Sequence, residues 1–178
     1  TWYRIAQAYD SQLEEAVSWN ADKMNSSNTI ELATLQRGAI NCYTMAVACS
    51  AREADASSYQ RLQIAQMYTE FGDRIYASSR EPFNMEAFQT RDTERRFVNL
   101  PGLSGAQRDV PFIALQPYTA WKFASTLYKR AIGNNPDKWW NHYMLAKSLW
   151  KMWASDRRAV LQSLAGAIPP GQQAPTWE

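Results

Sequence analysis

The chain has one histidine, His142, and two cysteines, Cys42 and Cys49, among 178 residues. That scarcity excludes the common zinc sites, because neither Cys-x-x-Cys nor a histidine pair at metal spacing can be built from it. The cysteines are seven residues apart on one expected helix, so about 10 Å separates them along its axis, too far for an internal disulfide. They are expected to be reduced core thiols of a cytosolic or nuclear protein. A glycine-rich phosphate loop is also missing. Glu14 and Glu15 are adjacent, so a helix points them in different directions and they form no acid–base pair. No catalytic, cofactor or metal site is expected, and the chain does not read as an enzyme.

Long apolar runs are absent too. None approaches the roughly 20 residues that cross a bilayer, so no membrane span is expected. No basic segment followed by an apolar stretch opens the chain, so no signal peptide is expected, and the first residue is not Met, which suggests an excised piece of a larger protein. Charge of one sign is scarce: 19 Lys and Arg face 17 Asp and Glu. A near-balanced chain argues against a phosphate-binding surface. Arg91, Arg95, Arg96, Arg157 and Arg158 form local basic groups. Asp92, Glu94 and Asp156 dilute them, which reads as solvated surface. Alternating β pattern of useful length is missing as well.

What remains is 46% apolar residues, including eight tryptophans and nine tyrosines, arranged with helical period. Trp2, Ile5, Ala6, Tyr9, Leu13, Ala16 and Val17 share one face and predict a helix over 2–19. Further helices are predicted over 29–50 and 57–78. The second of these contains Gly72, which costs about 1 kcal/mol against Ala and suggests a kink or close contact. Periodicity resumes over 118–133 and 137–153. Ser155 reads as the N-cap of a last helix over 155–167, and 169–178 should be an extended tail. Residues 1–168 thus predict one all-α helical-repeat domain.

Between the helices lies an irregular strap, 79–117, holding four of the eight prolines. Phe83, Met85, Phe88, Phe97, Leu100, Leu103, Phe112, Ile113 and Leu115 are spread through it, so it should be ordered and pinned to the helices or to a partner. Short helical turns fit 84–88 or 90–96.

Internal repetition sharpens the fold class. Ala39, Tyr43 and Ala46 recur in spacing as Ala124, Tyr128 and Ala131, the latter followed by Pro136. Small residues there let a second helix approach, and the aromatic fills the space beside them. Ile5, Ala6 and Tyr9 have counterparts in Ile64, Ala65 and Tyr68 and in Leu145, Ala146 and Leu149. These are the two halves of a tetratricopeptide-like antiparallel helix pair.

The stretch DKWWNHYMLAKSLWKMW, 137–153, concentrates four tryptophans around the histidine. On a helical wheel Leu149, Trp153, Ala146 and Trp139 lie within about 60° of His142. His142 is therefore expected as a hydrogen-bonded core histidine, with Trp139, Trp150 and Trp153 on the packed face. Trp140 falls opposite, near Met144, Lys147 and Lys151. It either packs on a neighbouring helix or anchors a protein partner. Trp140, Met144, Lys147, Lys151, Phe83 and Phe88 make up the candidate partner interface. Aromatics flanked by lysines could also stack on single-stranded nucleic acid. Near-neutral charge and the inward wheel position of most tryptophans count against that.

The run WWNHYMLAKSLWK resembles a Trp-x-x-His-Tyr-Met-Leu-small-Lys segment of the large helical-repeat scaffold subunits of HIR histone-chaperone complexes, a family whose animal branch is the calcineurin-binding protein cabin. WYRIAQAYDSQLEE, LQRGAINCYTMAV and SSREPFNMEAF are similar to its fungal form, so the resemblance covers most of the chain. It implies a non-enzymatic nuclear scaffold in a complex that deposits histones independently of replication and regulates histone genes. The implied partners are WD-repeat subunits, with core histones reached through the complex; self-association is also open. The resemblance carries no residue role across. Acidic runs, frequent in direct binders of histone tails, are missing, which favours a subunit interface over histone contact. A tetratricopeptide adaptor that binds a peptide in its groove, unrelated to chromatin, is the alternative.

Overall fold

A computed structural model of the chain describes residues 1–20, 26–50, 57–89, 96–99, 107–110 and 115–166. Five α-helices occur among the described residues: α1 (Trp2–Asn20), α2 (Ser26–Ser50), α3 (Ser58–Ser78), α4 (Pro117–Asn134) and α5 (Trp139–Gly166). Local chemistry sets several of their ends. Ser57 caps α3 in a capping box, accepting from the Gln60 backbone N–H while the Gln60 side chain accepts from the Ser57 N–H. Pro117 opens α4, at a helix start where its missing N–H costs nothing.

Contacts along the helices give their directions. Tyr9 lies over Gly38 and Leu13 packs with Leu32, so α1 and α2 run antiparallel. Trp121 Nε1 donates to Ser79 Oγ, and Tyr128 reaches Asp73 fifty-five positions back, so α3 and α4 are antiparallel as well. The first helices of successive pairs lie parallel, with Gln7 bonded to Glu70 and Asp10 beside Arg74. α5 repeats that relation against α3, through Lys138 to Gln66 and Thr69 to Asn141. It also packs on α4.

The repeated small–aromatic–small residues lie at the centre of this packing. Ala39, Tyr43, Ala46, Ala124, Tyr128 and Ala131 are all buried in one continuous core with Phe71, Ile75 and Tyr76. Tyr43 stacks on Phe71 with ring centroids 5.3 Å apart, which joins the first pair to the second. The contact suggested at Gly72 is present: a Cβ there would meet the Tyr128 ring at 2.8 Å. Gly38 makes the same close approach to the Tyr9 ring.

Four expectations about the elements and the thiols differ from the structure. α2 starts at Ser26, three residues before Thr29. α5 runs unbroken through Ser155, so no separate helix spans 155–167 there: a serine inside a helix can bond the preceding turn and need not cap a new one. The strap is not wholly irregular. The short helical turn expected over 84–88 is there as a 3-10 turn (Glu86–Phe88), but the strap also holds two short antiparallel strands, β1 (Arg96–Asn99) and β2 (Gln107–Val110), paired with Arg96 opposite Val110 and Asn99 opposite Gln107. Four-residue strands are too short for alternation to reveal them. Finally, Cys42 is buried and Cys49 exposed, both free, so only one is a core thiol.

The start of the strap is pinned to the helices as its apolar residues suggest. Phe83 closes a small cluster with Leu13 and Leu32, while Met85 and Ala87 enter the main core. Arg37 donates to the carbonyls of Ala87 and Gln89, 3.0 Å each. Leu115 is exposed. The side chains of Phe97, Leu100, Leu103, Phe112 and Ile113, and the predicted tail 169–178, lie outside the described residues.

Candidate interaction surface

The inner side of α5 is built on a half-buried carboxylate. Asp73 of α3 accepts from the Tyr128 hydroxyl at 2.7 Å, and Trp140 Nε1 donates to both its oxygens at 3.2 and 3.1 Å. The first helix pair carries the same arrangement. Asp10 of α1 accepts from the Tyr43 hydroxyl at 2.6 Å, and Arg74 of the next first helix approaches it at 2.7 Å. In both places one carboxylate ties a tyrosine of its paired helix to a donor from the following first helix. Arg74 Nε and Asp10 Oδ1 touch as charges without an aligned N–H bond.

Burial raises the pKa of both carboxylates, and for Asp10 it outweighs the opposing pull of Arg74 and the Tyr43 hydrogen bond. At Asp73 it likewise outweighs the donors Tyr128 and Trp140. Burial, together with the neighbouring carboxylates, pushes Tyr43 and Tyr128 far above the ordinary phenol range. These tyrosines are thus held as donors. Their protons serve packing, since each hydroxyl is already committed to its carboxylate.

The rest of the inner face is partly polar. Asn141 and Ser148 are fully buried, Thr69 donates to Asn141 Oδ1 at 2.8 Å, and Met144 lies between them at 5% exposure. Lys147 sits over the Tyr76 and Tyr143 rings, 5.5 and 5.4 Å from their centroids.

The six candidate interface residues are therefore not brought to one surface. Met144 and Phe83 are buried, Trp140, Lys147 and Phe88 are half-buried, and Lys151 is exposed. Trp140 packs on the neighbouring helices, as one of its two readings has it. The wheel expectation for the other tryptophans is reversed. Trp139 is 69% exposed, Trp150 62% and Trp153 49%, with Tyr143 and Leu149 exposed beside them. His142 is exposed too, and its Nε2 donates to the Pro136 carbonyl at 2.7 Å, so it is not a core histidine. The most apolar face of α5 points outward and its mixed polar face packs inward. Helical period alone could not reveal this. The available hint was the small polar pair Asn141 and Ser148, seven apart with Met144 between, a spacing suited to close helix contact. The outward turn also removes the inward-facing argument against base stacking; the near-balanced charge still stands against it.

Among the described residues no group of three or more His, Cys, Asp or Glu could hold a metal, and no helix is long and apolar enough to cross a membrane. A groove of about 740 Å³ runs between α1 and α3, lined by Asp10, Glu14, Glu70 and Asp73 with Arg74 as its cation.

The model of the HIR3 helical bundle domain matches residues 1–135, which spans α1 to α4 and both tyrosine–carboxylate anchors. The chain belongs to the HIR3 helical bundle family. HIR3-family relatives extend the similarity. A protein of Aspergillus fumigatus named "Histone transcription regulator 3 homolog" is 47% identical over 88% of this chain. Proteins of the same name from Chaetomium globosum and Candida albicans are 40% and 26% identical over 85% and 94% of it. The chain spans only 8% of the Aspergillus fumigatus and Chaetomium globosum proteins and 10% of the Candida albicans one.

Proposed function

We propose that this chain is a non-enzymatic scaffold module of a HIR-type histone-chaperone complex, acting in the nucleus in replication-independent nucleosome assembly and histone gene regulation. The observation that carries this reading is the family match over residues 1–135, joined by relatives named for histone transcription regulation. The physical character of the fold agrees with it. The buried Tyr43 and Tyr128 hydroxyls are spent on helix-to-helix ties to Asp10 and Asp73, and α5 exposes an aromatic face suited to macromolecular contact. WD-repeat subunits of the complex are the expected direct partners, with core histones reached through them. The family match does not favour the alternative of a chromatin-unrelated peptide adaptor.

The test is affinity purification from fungal nuclear extract with the chain as bait, read by mass spectrometry. Recovery of WD-repeat HIR subunits is expected. Their absence from repeated purifications, with a folded bait confirmed by circular dichroism, would sink the assignment.

A further inference from the structure

The outward face of α5 has an internal order. Trp139, Tyr143, Ala146, Trp150 and Trp153 follow one another at intervals of four, three, four and three, and all five are exposed. At 100° per residue they stay within about 40° of one line, and they span about 21 Å of helix. This is the seven-residue spacing with which two helices pack side by side. A seam of that kind on an exposed helix is a docking surface.

Two further features identify what it docks. The order reads the same in both directions about Ala146: aromatic, aromatic, small, aromatic, aromatic. A two-fold axis at Ala146 would set Trp139 against Trp153 of the second copy and Tyr143 beside its Trp150. The small central residue would let the helices approach. Such self-complementarity is what an isologous dimer interface requires. The second feature is chemical. In both helix pairs the covering helix brings a tyrosine to a carboxylate, Tyr43 to Asp10 and Tyr128 to Asp73. α5 carries no acid on this seam, its sole one being Asp156 near the far end. A third tyrosine-bearing helix would find no such anchor.

Charge and area are compatible with a second copy. Lys147 already sits over Tyr76 and Tyr143, and Arg157 over Trp153, so these cations lie on their own rings instead of facing like charges across the axis. The exposed parts of the four aromatic rings offer roughly 450 Å² per copy at usual aromatic areas. Doubled and joined by Leu149, which is exposed beside the seam, this comes to about the 1,000 Å² that a specific interface should clear. We propose that two copies of this chain pair antiparallel through the Trp139–Trp153 seam of α5, about a two-fold axis at Ala146.

Sedimentation velocity across the micromolar range tests this on the whole chain. Wild type should pass from monomer to dimer, and Ala146→Glu, which sets two like charges at the axis, should weaken association at least tenfold without changing the far-ultraviolet circular dichroism. Because Ala146 is exposed, this substitution leaves the core untouched. In a Cys49→Ser background, Ala146→Cys should be captured as a dimer by a short bis-maleimide, while Lys129→Cys, at an exposed position on α4, should not. A chain that stays monomeric at high micromolar concentration overturns the proposal. So does a dimer that survives Ala146→Glu. Salt-sensitive binding of a single-stranded oligonucleotide that quenches the tryptophans, without any dimer, overturns it in favour of base stacking.

Discussion

The two faces of α5 hold aromatic rings in opposite ways. On the inner side Trp140 is half-buried and gives its N–H to a carboxylate that also holds Tyr128. On the outer side Trp139, Trp150 and Trp153 are half or more exposed, touch mainly one another and their own helix, and make no hydrogen bond to another element among the described residues. The Trp150 and Trp153 rings lie tilted against each other, 4.9 Å between centroids, with Arg157 over the second ring. The contrast teaches that an aromatic-rich helix can owe its place in a fold to its less apolar side. Hydrogen-bonded rings set its position, and the richer apolar face stays available.

The sharpest way to break this division is to remove the ring at the hub of the inner side. Tyr128 is fully buried, so Tyr128→Ala leaves a ring-sized cavity, strips a donor from Asp73 and uncovers Gly72. A loss of about 3–5 kcal/mol in unfolding free energy is expected from urea denaturation. A loss below about 1 kcal/mol would show that the tyrosine–carboxylate anchor does not organise the pair.

Trp140→Ala comes next. The ring is half-buried, so part of its area is lost together with hydrogen bonds to a charged group, for about 2–3 kcal/mol. The melting temperature should drop accordingly. Unchanged melting combined with loss of a binding partner would instead return Trp140 to the role of an exposed anchor.

How much of this could be read from the residues differs by region. The pairs α1/α2 and α3/α4 are legible, because Ala39–Tyr43–Ala46 and Ala124–Tyr128–Ala131 state a packing geometry: small residues mark where a helix comes close, and the aromatic marks what fills the space. The strap is half legible. Phe83, Met85 and Phe88 announce a pinned segment, while the pairing of 96–99 with 107–110 depends on which residues meet between the two strands, and short strands do not encode that in their pattern. The candidate site is legible as a set of residues but not in its sense. Periodicity groups Trp139, Tyr143, Ala146, Trp150 and Trp153 on one face, but it cannot say whether this chain or another molecule covers that face.

A smaller effect separates hydrogen bonding from volume. Tyr128→Phe keeps the ring and removes only the hydroxyl that Asp73 accepts, which should cost about 1.5 kcal/mol near neutrality. The pH dependence has a definite sign. The folded pKa of Tyr128 is raised above its unfolded value near 10, so its contribution is complete below pH 10 and is lost as pH rises beyond that. Wild type should therefore lose stability through the alkaline range more steeply than Tyr128→Phe, and the gap between them should narrow. Parallel alkaline slopes would mean that the hydroxyl is not held protonated by its surroundings.

Trp150→Ala should have the smallest effect on folding, and it isolates the other half of the comparison. The ring is 62% exposed and packs against Trp153 on its own helix. Removing it uncovers no buried polar group and opens no cavity in the core formed by Phe71, Tyr128 and Met144. At dilute concentration, where association contributes nothing, unfolding free energy should stay within about 0.5 kcal/mol of wild type. A change as large as that of Trp140→Ala would mean that the outer face supports the fold, and the two faces of α5 would then no longer divide the work between cohesion and contact.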